Sequence, residues 1–266
     1  MEVRSFPTRI TIEMTNKCNL NCTMCPRLFM KDNMGIIDTK LWKRLLDEVK
    51  GHEVTIIPFW RGESTLHPTF MSMVSYARKR AKRIEIATNG IGSSRVAGTF
   101  LKAEFVSISC HTEHGLGFLR ELWQAKQNFR TSMPVLQATV VEGEEFDDRI
   151  EMLAKKYADI IRIYERHSYL GNYGALQDRP KEERIFCNRL LNDMVIDCHG
   201  NVSRCCHNWN TDAPMNVRDS TIEEIWNGDS YKEIRDKYPD DICFKCDQWN
   251  GPTSGKTIKI DQNYNF

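Results

Sequence analysis

Apolar segments of strand character alternate with amphipathic helical stretches from residue 8 to about residue 166. This alternation restricts the fold more than any other feature of the chain. Segments 8–13, 54–60, 83–88, 105–110, 135–141 and 160–164 read as strands, rich in β-branched residues and bounded by turn signals. The intervening stretches read as helices. Asp38 is placed to cap one that carries Leu41, Trp42, Leu45, Leu46 and Val49 on a single apolar stripe. A second, over 68–81, ends in Arg78, Lys79 and Arg80, the charge that a helix C-terminus favours. A weaker one follows over 93–102, then others over 118–129 and 147–157. Six strands alternating with five helices predict a parallel sheet with right-handed crossovers, open or curling toward a barrel. In either form ligands bind at the C-terminal ends of the strands. The loops after Glu13, Trp60, Thr88, Ser109, Val141 and Tyr164 are therefore the candidate site.

The composition changes after residue 167. Residues 168–186 read as a linker, 187–249 as a cysteine-rich unit with one short helix near 222–226, and 250–266 as a polar, poorly ordered tail. The chain holds ten cysteines in 266 residues. No stretch resembles a secretory signal or a membrane span, so the expectation is a cytoplasmic protein, whose compartment does not favour disulfides. Lys and Arg total 37 against 36 Asp and Glu, which argues against a protein built to coat nucleic acid or an acidic membrane. The cysteines are clustered: Cys18, Cys22 and Cys25 together, and six between Cys187 and Cys246. Clustered thiols in such a chain point to metal.

Cys18, Cys22 and Cys25 form CxxxCxxC on the loop after the first strand. Three thiolates can hold three irons of a [4Fe–4S] cubane and leave the fourth open, as a reactive site requires. A zinc knuckle would want a fourth ligand nearby, and the next histidine is His52.

This motif after a first strand resembles the signature of the radical S-adenosylmethionine (SAM) superfamily. The resemblance implies a (β/α)6 partial TIM barrel over residues 1–167. It also implies that SAM chelates the open iron and is cleaved to a 5′-deoxyadenosyl radical that abstracts a substrate hydrogen. Gly62 and Glu63, followed by Leu66-His67-Pro68, resemble the family's GGEP segment, whose acid binds the SAM amino group. Here Arg61 stands for a glycine and Ser64 for the proline, and Arg61 is open to a substrate-facing role. Thr88 and Asn89 resemble the TNG turn beside SAM. Ser109 and Gln137 fall where polar SAM contacts occur, and Met24 where a residue borders the adenine.

Twelve residues separate Cys187 from Gly200 and four separate Gly200 from Cys205; Cys243 and Cys246 form CxxC. With the 196–202 hairpin pattern and the Ile222–Trp226 segment, this resembles the SPASM/Twitch extension of the superfamily. Nothing after Cys246 supplies ligands for a further cluster, so the shorter Twitch form is implied. It would hold one auxiliary [4Fe–4S] cluster on Cys187, Cys205, Cys243 and Cys246. Spacing leaves Cys198 and Cys206 open as replacements, and four thiolates also suit a structural zinc.

The size and the single auxiliary cluster resemble the scyllo-inosamine dehydrogenases. That implies an oxidoreductase with a small hydroxylated substrate, the auxiliary cluster accepting an electron, and an external one-electron donor such as a flavodoxin or ferredoxin. Glu165, Arg166 and His167 are the candidate catalytic residues; Arg162, Tyr164, Tyr169, His111, Glu113 and His114 are further substrate-facing candidates. Because the first strand begins so early, a leader-binding domain is not expected. Two alternatives remain at this stage: a peptide or protein side-chain maturase with leader recognition in trans, and a non-catalytic zinc-stapled α/β binding protein.

Overall fold

The computed structural model describes residues 3–142, 148–166, 168–171, 186–210, 215–248 and 255–262. His167, most of the expected linker and part of the polar tail lie outside the described residues.

The alternation predicted from the sequence is present. The order is β1 (Arg9–Ile12), α1 (Thr39–Val49), β2 (Thr55–Ile57), α2 (Phe70–Arg78), β3 (Arg83–Thr88), α3 (Ala97–Phe100), β4 (Phe105–Ser109), α4 (Glu113–Asn128), β5 (Val135–Val141), α5 (Asp148–Tyr157) and β6 (Ile160–Tyr164). The strands β1 to β6 pair in sequence order, all parallel. Asp38 caps α1 as expected, its Oδ2 accepting from Leu41 N at 3.3 Å, and the apolar stripe of α1 is buried. α4 begins five residues before the expected start. Thr112 caps it by accepting from Gly115 N at 3.2 Å, and its polar first turn hid it from a reading based on apolar periodicity. Gly115 lies against β4, where a Cβ would stand 1.8 Å from Ser109 O. The weak 93–102 helix is a 3-10 turn, Ser93–Val96, joined to the four-residue α3.

The C-terminal part contains α6 (Arg189–Asn192), β7 (Asp193–Ile196), β8 (Val202–Ser203), α7 (Ile222–Asn227), α8 (Asp229–Asp236), α9 (Asp241–Phe244) and β9 (Lys256–Lys259). This is more regular structure than the sequence suggested. The elements are short, and α8 lies among charged residues that give little apolar period. A capping box at Thr221 and Glu224 starts α7.

β7 pairs in parallel with β1, so the sheet continues across the expected boundary, in the order β8-β7-β1-β2-β3-β4-β5-β6-β9. One apolar cluster holds Ile10, Trp42 and Ile108 together with Met194, Val217, Trp226 and Tyr231. The cysteine-rich unit thus shares the barrel's core. Trp226 is fully buried and donates from its indole to Arg4 O at 2.8 Å; truncating such a side chain costs about 3–5 kcal/mol. Part of the segment expected to be a poorly ordered tail is strand β9, antiparallel to β6 and covering that sheet edge.

Candidate active site at the strand ends

The loop between β1 and α1 carries the first three thiols. Its ends are tied where Ile37 N donates to Met14 O at 2.9 Å. Cys18, Cys22 and Cys25 are half-buried, and Cys25 N donates to Cys22 O at 3.1 Å. The β2 loop packs directly beneath. Glu63 N donates to Lys17 O at 2.8 Å. A Cβ on Gly62 would stand 2.3 Å from Thr15 O and 2.5 Å from Lys17 O, so only glycine allows this approach.

The Glu63 side chain turns inward from that loop. Its Oε1 accepts from Thr65 N at 3.1 Å, Thr65 Oγ1 at 2.8 Å and Thr88 Oγ1 at 3.1 Å; its Oε2 accepts from Asn89 N at 2.9 Å. Burial nonetheless holds this carboxyl above its usual range. Asn89 Nδ2 reaches Asn19 Oδ1 at 2.8 Å and Cys18 Sγ at 3.7 Å, joining the end of β3 to the cysteine loop. On β4 and β5, Ser107 pairs with Gln137 and Ser109 with Thr139 in register. Gln137 Nε2 donates to Ser107 Oγ and to Thr139 Oγ1, both at 3.1 Å. Glu63, Thr88, Asn89 and Ser109 therefore lie at or just after adjoining strand ends, whereas Gln137 lies within β5.

Met24, expected at the adenine, lines a cavity of about 210 Å³ with Val141, Tyr164, Glu165, Arg166 and Tyr169. Two of the candidate catalytic residues thus share a wall with the cysteine loop; His167 cannot be placed. Arg162, in contrast, donates to Thr257 Oγ1 of β9 at 2.6 Å. Tyr169 packs edge-on against Trp209, and Trp209 against Trp60, with ring centroids 5.8 and 6.4 Å apart. Burial raises the Tyr169 phenol, and Cys25 from the first thiol group and Cys206 from the second add to that shift. Tyr169 and Leu170 both hold left-handed backbone, φ 48° and 62°, at a cost of about 1–3 kcal/mol each.

Arg61 does not face the cavity. Its side chain is fully buried and salt-bridged to Glu13, Asp32 and Asp197. It also donates to Trp209 O at 2.7 Å. Burial alone would weaken its charge, but the contacts with Glu13 and Asp32 overcome this and hold it protonated. Sequence reasoning missed Glu13, Asp32, Asp197 and Trp209. The available signal was an acid closing an apolar strand, Glu13, opposite an arginine in a glycine-rich position.

The second thiol group lines a largely apolar pocket. Cys187, Cys205, Cys243 and Cys246 stand around it with Leu170, Leu190, Arg204, His207, Tyr238 and Ile242. Of the two alternatives, Cys198 is buried beside Glu13, its backbone N 3.1 Å from Oε2, and Cys206 accepts from Arg189 Nη1 at 3.2 Å. Burial raises the thiols of Cys187, Cys205, Cys243 and Cys246, the last to about 11. Coordinated iron reverses this, because a coordinating thiol is deprotonated outright. Among the described residues no three His, Cys, Asp or Glu side chains are gathered tightly enough to share one metal ion. The fit to a cluster rests on the largely apolar pocket and the four thiols around its wall.

Comparison with known proteins agrees with this geometry. The model of the Radical SAM superfamily matches residues 12–143, and that of SPASM, an iron-sulfur cluster-binding domain, residues 187–247. The chain belongs to the radical SAM superfamily and carries a C-terminal SPASM domain. This pairing brings S-adenosylmethionine and two [4Fe–4S] clusters, and it removes the non-catalytic zinc reading. The tungsten-containing aldehyde ferredoxin oxidoreductase cofactor-modifying protein of Pyrococcus furiosus is 41% identical over 81 residues, 30% of this chain and 23% of that protein. This chain spans less than half the length of the curated relatives it first matches. Two solved structures share the fold. BtrN, in complex with AdoMet and 2-DOIA, is 20% identical with a TM-score of 0.57, over 90% of this chain and 92% of that one. Streptococcus suis SuiB, bound to its precursor peptide SuiA, is 13% identical with a TM-score of 0.68, over 92% and 70%.

Proposed function

We propose that this enzyme oxidises a small hydroxylated substrate, sugar- or cyclitol-like, by two electrons. The observation that carries the reading is the cavity of about 210 Å³ bounded by Met24 on the cysteine loop and by Glu165, Arg166 and Tyr169 after β6. It suits a compact molecule. Its polar wall offers one carboxylate and one guanidinium, the pair that grips vicinal hydroxyls.

Cys18, Cys22 and Cys25 would hold the SAM-binding cluster, and Cys187, Cys205, Cys243 and Cys246 the auxiliary one. When bound, these groups supply a 5′-deoxyadenosyl radical for hydrogen abstraction and an acceptor for the remaining electron. Glu63 would take the SAM ammonium, with Thr88 and Asn89 fixing its carboxylate. Gly62 allows the loop to approach, Ser109 and Gln137 present polar contacts, and Met24 borders the adenine. Arg166 orients the substrate. Glu165 stands to accept the hydroxyl proton as the carbinol carbon becomes a carbonyl, and His167 follows in sequence as a second candidate. The tyrosine between the two thiol groups closes the cavity against water.

BtrN supports this reading by nearly full coverage of both chains. A second reading, modification of a peptide side chain, has the support of SuiB bound to its precursor peptide. The deciding experiment incubates reconstituted enzyme with SAM, a reductant and separate panels of aminocyclitols, sugars and peptides. The expected result is 5′-deoxyadenosine formed in step with a small-molecule product lighter by two hydrogens. A modified peptide with no oxidised polyol would overturn the proposal.

A further inference from the structure

The outer surface of the cysteine loop differs from the rest of the protein surface. Residues 14–37 close on themselves: Asn16 Nδ2 donates to Asn33 O at 2.9 Å, and Gly35 N donates to Asn16 Oδ1 at 2.7 Å. This closure leaves apolar side chains outward. Leu28 is 58% exposed, Met34 52% and Ile36 44%, with Phe29 also exposed. The patch continues onto the neighbouring segment, where His67 bonds Ile37 O at 3.0 Å and Leu66 and Met71 are exposed. More than half of the large exposed apolar side chains among the described residues lie in these two segments. Such concentration marks an interaction surface.

The charge around the patch is mainly basic. Lys17, Lys31 and Lys40 are exposed. The acids nearby are engaged: Asp32 turns inward to Arg61, and Asp38 caps α1. Met24, on the same loop, is buried toward the substrate cavity. The patch begins one turn after Cys25, where Leu28 N donates to Cys25 O at 3.4 Å.

We propose that this apolar, lysine-rimmed surface is the docking site for an acidic one-electron donor protein of the flavodoxin kind. The inference rests on the reading that Cys18, Cys22 and Cys25 hold the SAM-binding cluster. The partner is oxidised by one electron, which enters the chain through the loop bearing those thiols, and no bond is made or broken in the transfer. The electrostatics fit a transient encounter. Opposite charges steer association, and redox complexes bury little area, generally under about 1,200 Å².

The test uses the holoenzyme and a purified flavodoxin. Wild type, Lys31→Glu and Leu28→Ser/Met34→Ser are compared in two measurements. Flavin fluorescence titration reads binding, and 5′-deoxyadenosine formation is followed with either reduced flavodoxin or dithionite. The expected result is at least tenfold weaker flavodoxin binding in each variant, with dithionite-driven cleavage unchanged. Wild-type binding should also weaken as salt rises. Dithionite-driven cleavage separates the two failures: if wild type lacks it, the cluster reading has failed. If it is intact, the docking proposal is overturned by variants that bind and are reduced like wild type, or by wild type that neither binds flavodoxin nor is reduced by it. Variants that keep flavodoxin-driven cleavage but lose turnover of a substrate peptide would assign the patch to that peptide instead.

Discussion

Arg61 grips both carboxylate oxygens of Glu13, its Nε 2.9 Å from Oε1 and a terminal nitrogen 2.8 Å from Oε2, with both side chains fully buried. Glu13 follows β1 and Arg61 follows β2. Asp197 and the Trp209 carbonyl, which meet the same guanidinium, come from the SPASM part of the chain. The pair therefore fastens the SAM-binding strand ends to the unit that carries the second thiol group. Burying these charges is costly, and the hydrogen bonds from the guanidinium to Glu13, Asp32 and Trp209 O offset that cost.

Removing the arginine should expose the cost. Arg61→Ala leaves three acids facing one another without a cation, and breaking a buried pair in this way costs about 3–5 kcal/mol. Arg61→Lys keeps the charge but loses the two-pronged grip, so its loss should be smaller, about 1–3 kcal/mol. Urea denaturation of the three proteins gives the comparison. An Arg61→Ala midpoint close to wild type would mean that the cluster of charges is not a structural fastener.

Gly62 tests the close approach of the β2 loop. In Gly62→Ala the new methyl would meet the backbone oxygens of Thr15 and Lys17, which no side-chain rotation can relieve. A cost of about 1–3 kcal/mol is expected, with displacement of the cysteine loop. Iron bound after reconstitution should fall by about half, because the second thiol group is untouched. Gly117→Ala is the control. It sits in open space within α4, and it should raise stability by about 0.5–1 kcal/mol. Full iron content in Gly62→Ala would show that the loop tolerates the shift.

The parts legible in the sequence were those governed by local rules. β1 to β6 follow from the alternation, and the Asp38 cap and the β7–β8 hairpin at Gly200 follow from turn and cap chemistry. Cys18, Cys22 and Cys25 announce themselves by spacing. What could not be read depended on contacts distant in sequence. Arg61 looked free because its partners Glu13 and Asp197 follow strands that become neighbours only when β7 joins β1. β9 looked like tail because four residues flanked by polar ones carry no period, and only the exposed edge of β6 gives them a place.

The two thiol groups should separate in function. Cys22→Ala removes a proposed ligand of the SAM-binding cluster and should abolish 5′-deoxyadenosine formation under dithionite. Cys243→Ala lies in the SPASM pocket and should keep it. Wild type should hold about eight irons, the content of two four-iron clusters, and each variant fewer. Equal SAM cleavage by wild type and Cys22→Ala would show that the assignment of the first three cysteines is wrong.

The last prediction concerns where the substrate's second electron goes. If the reaction is an oxidation, a folded Cys243→Ala or Cys246→Ala protein should form 5′-deoxyadenosine yet yield no carbonyl product, because the first electron-removing step survives and the second lacks its acceptor. Folding is the condition that must be met. A small cysteine-rich unit can depend on its metal for stability. The structure gives that unit other support: Trp226 and Tyr231 are fully buried in the shared core, and β7 is paired with β1. The variants should therefore keep wild-type circular dichroism and lose no more than a few kcal/mol. Deuterium placed at the reacting carbon adds a direct reading. In the variant it should appear in 5′-deoxyadenosine, with the substrate recovered unoxidised. A well-folded variant that still gives the full oxidised product would remove the second thiol group as the electron acceptor and turn the assignment toward a redox-neutral or peptide-directed reaction.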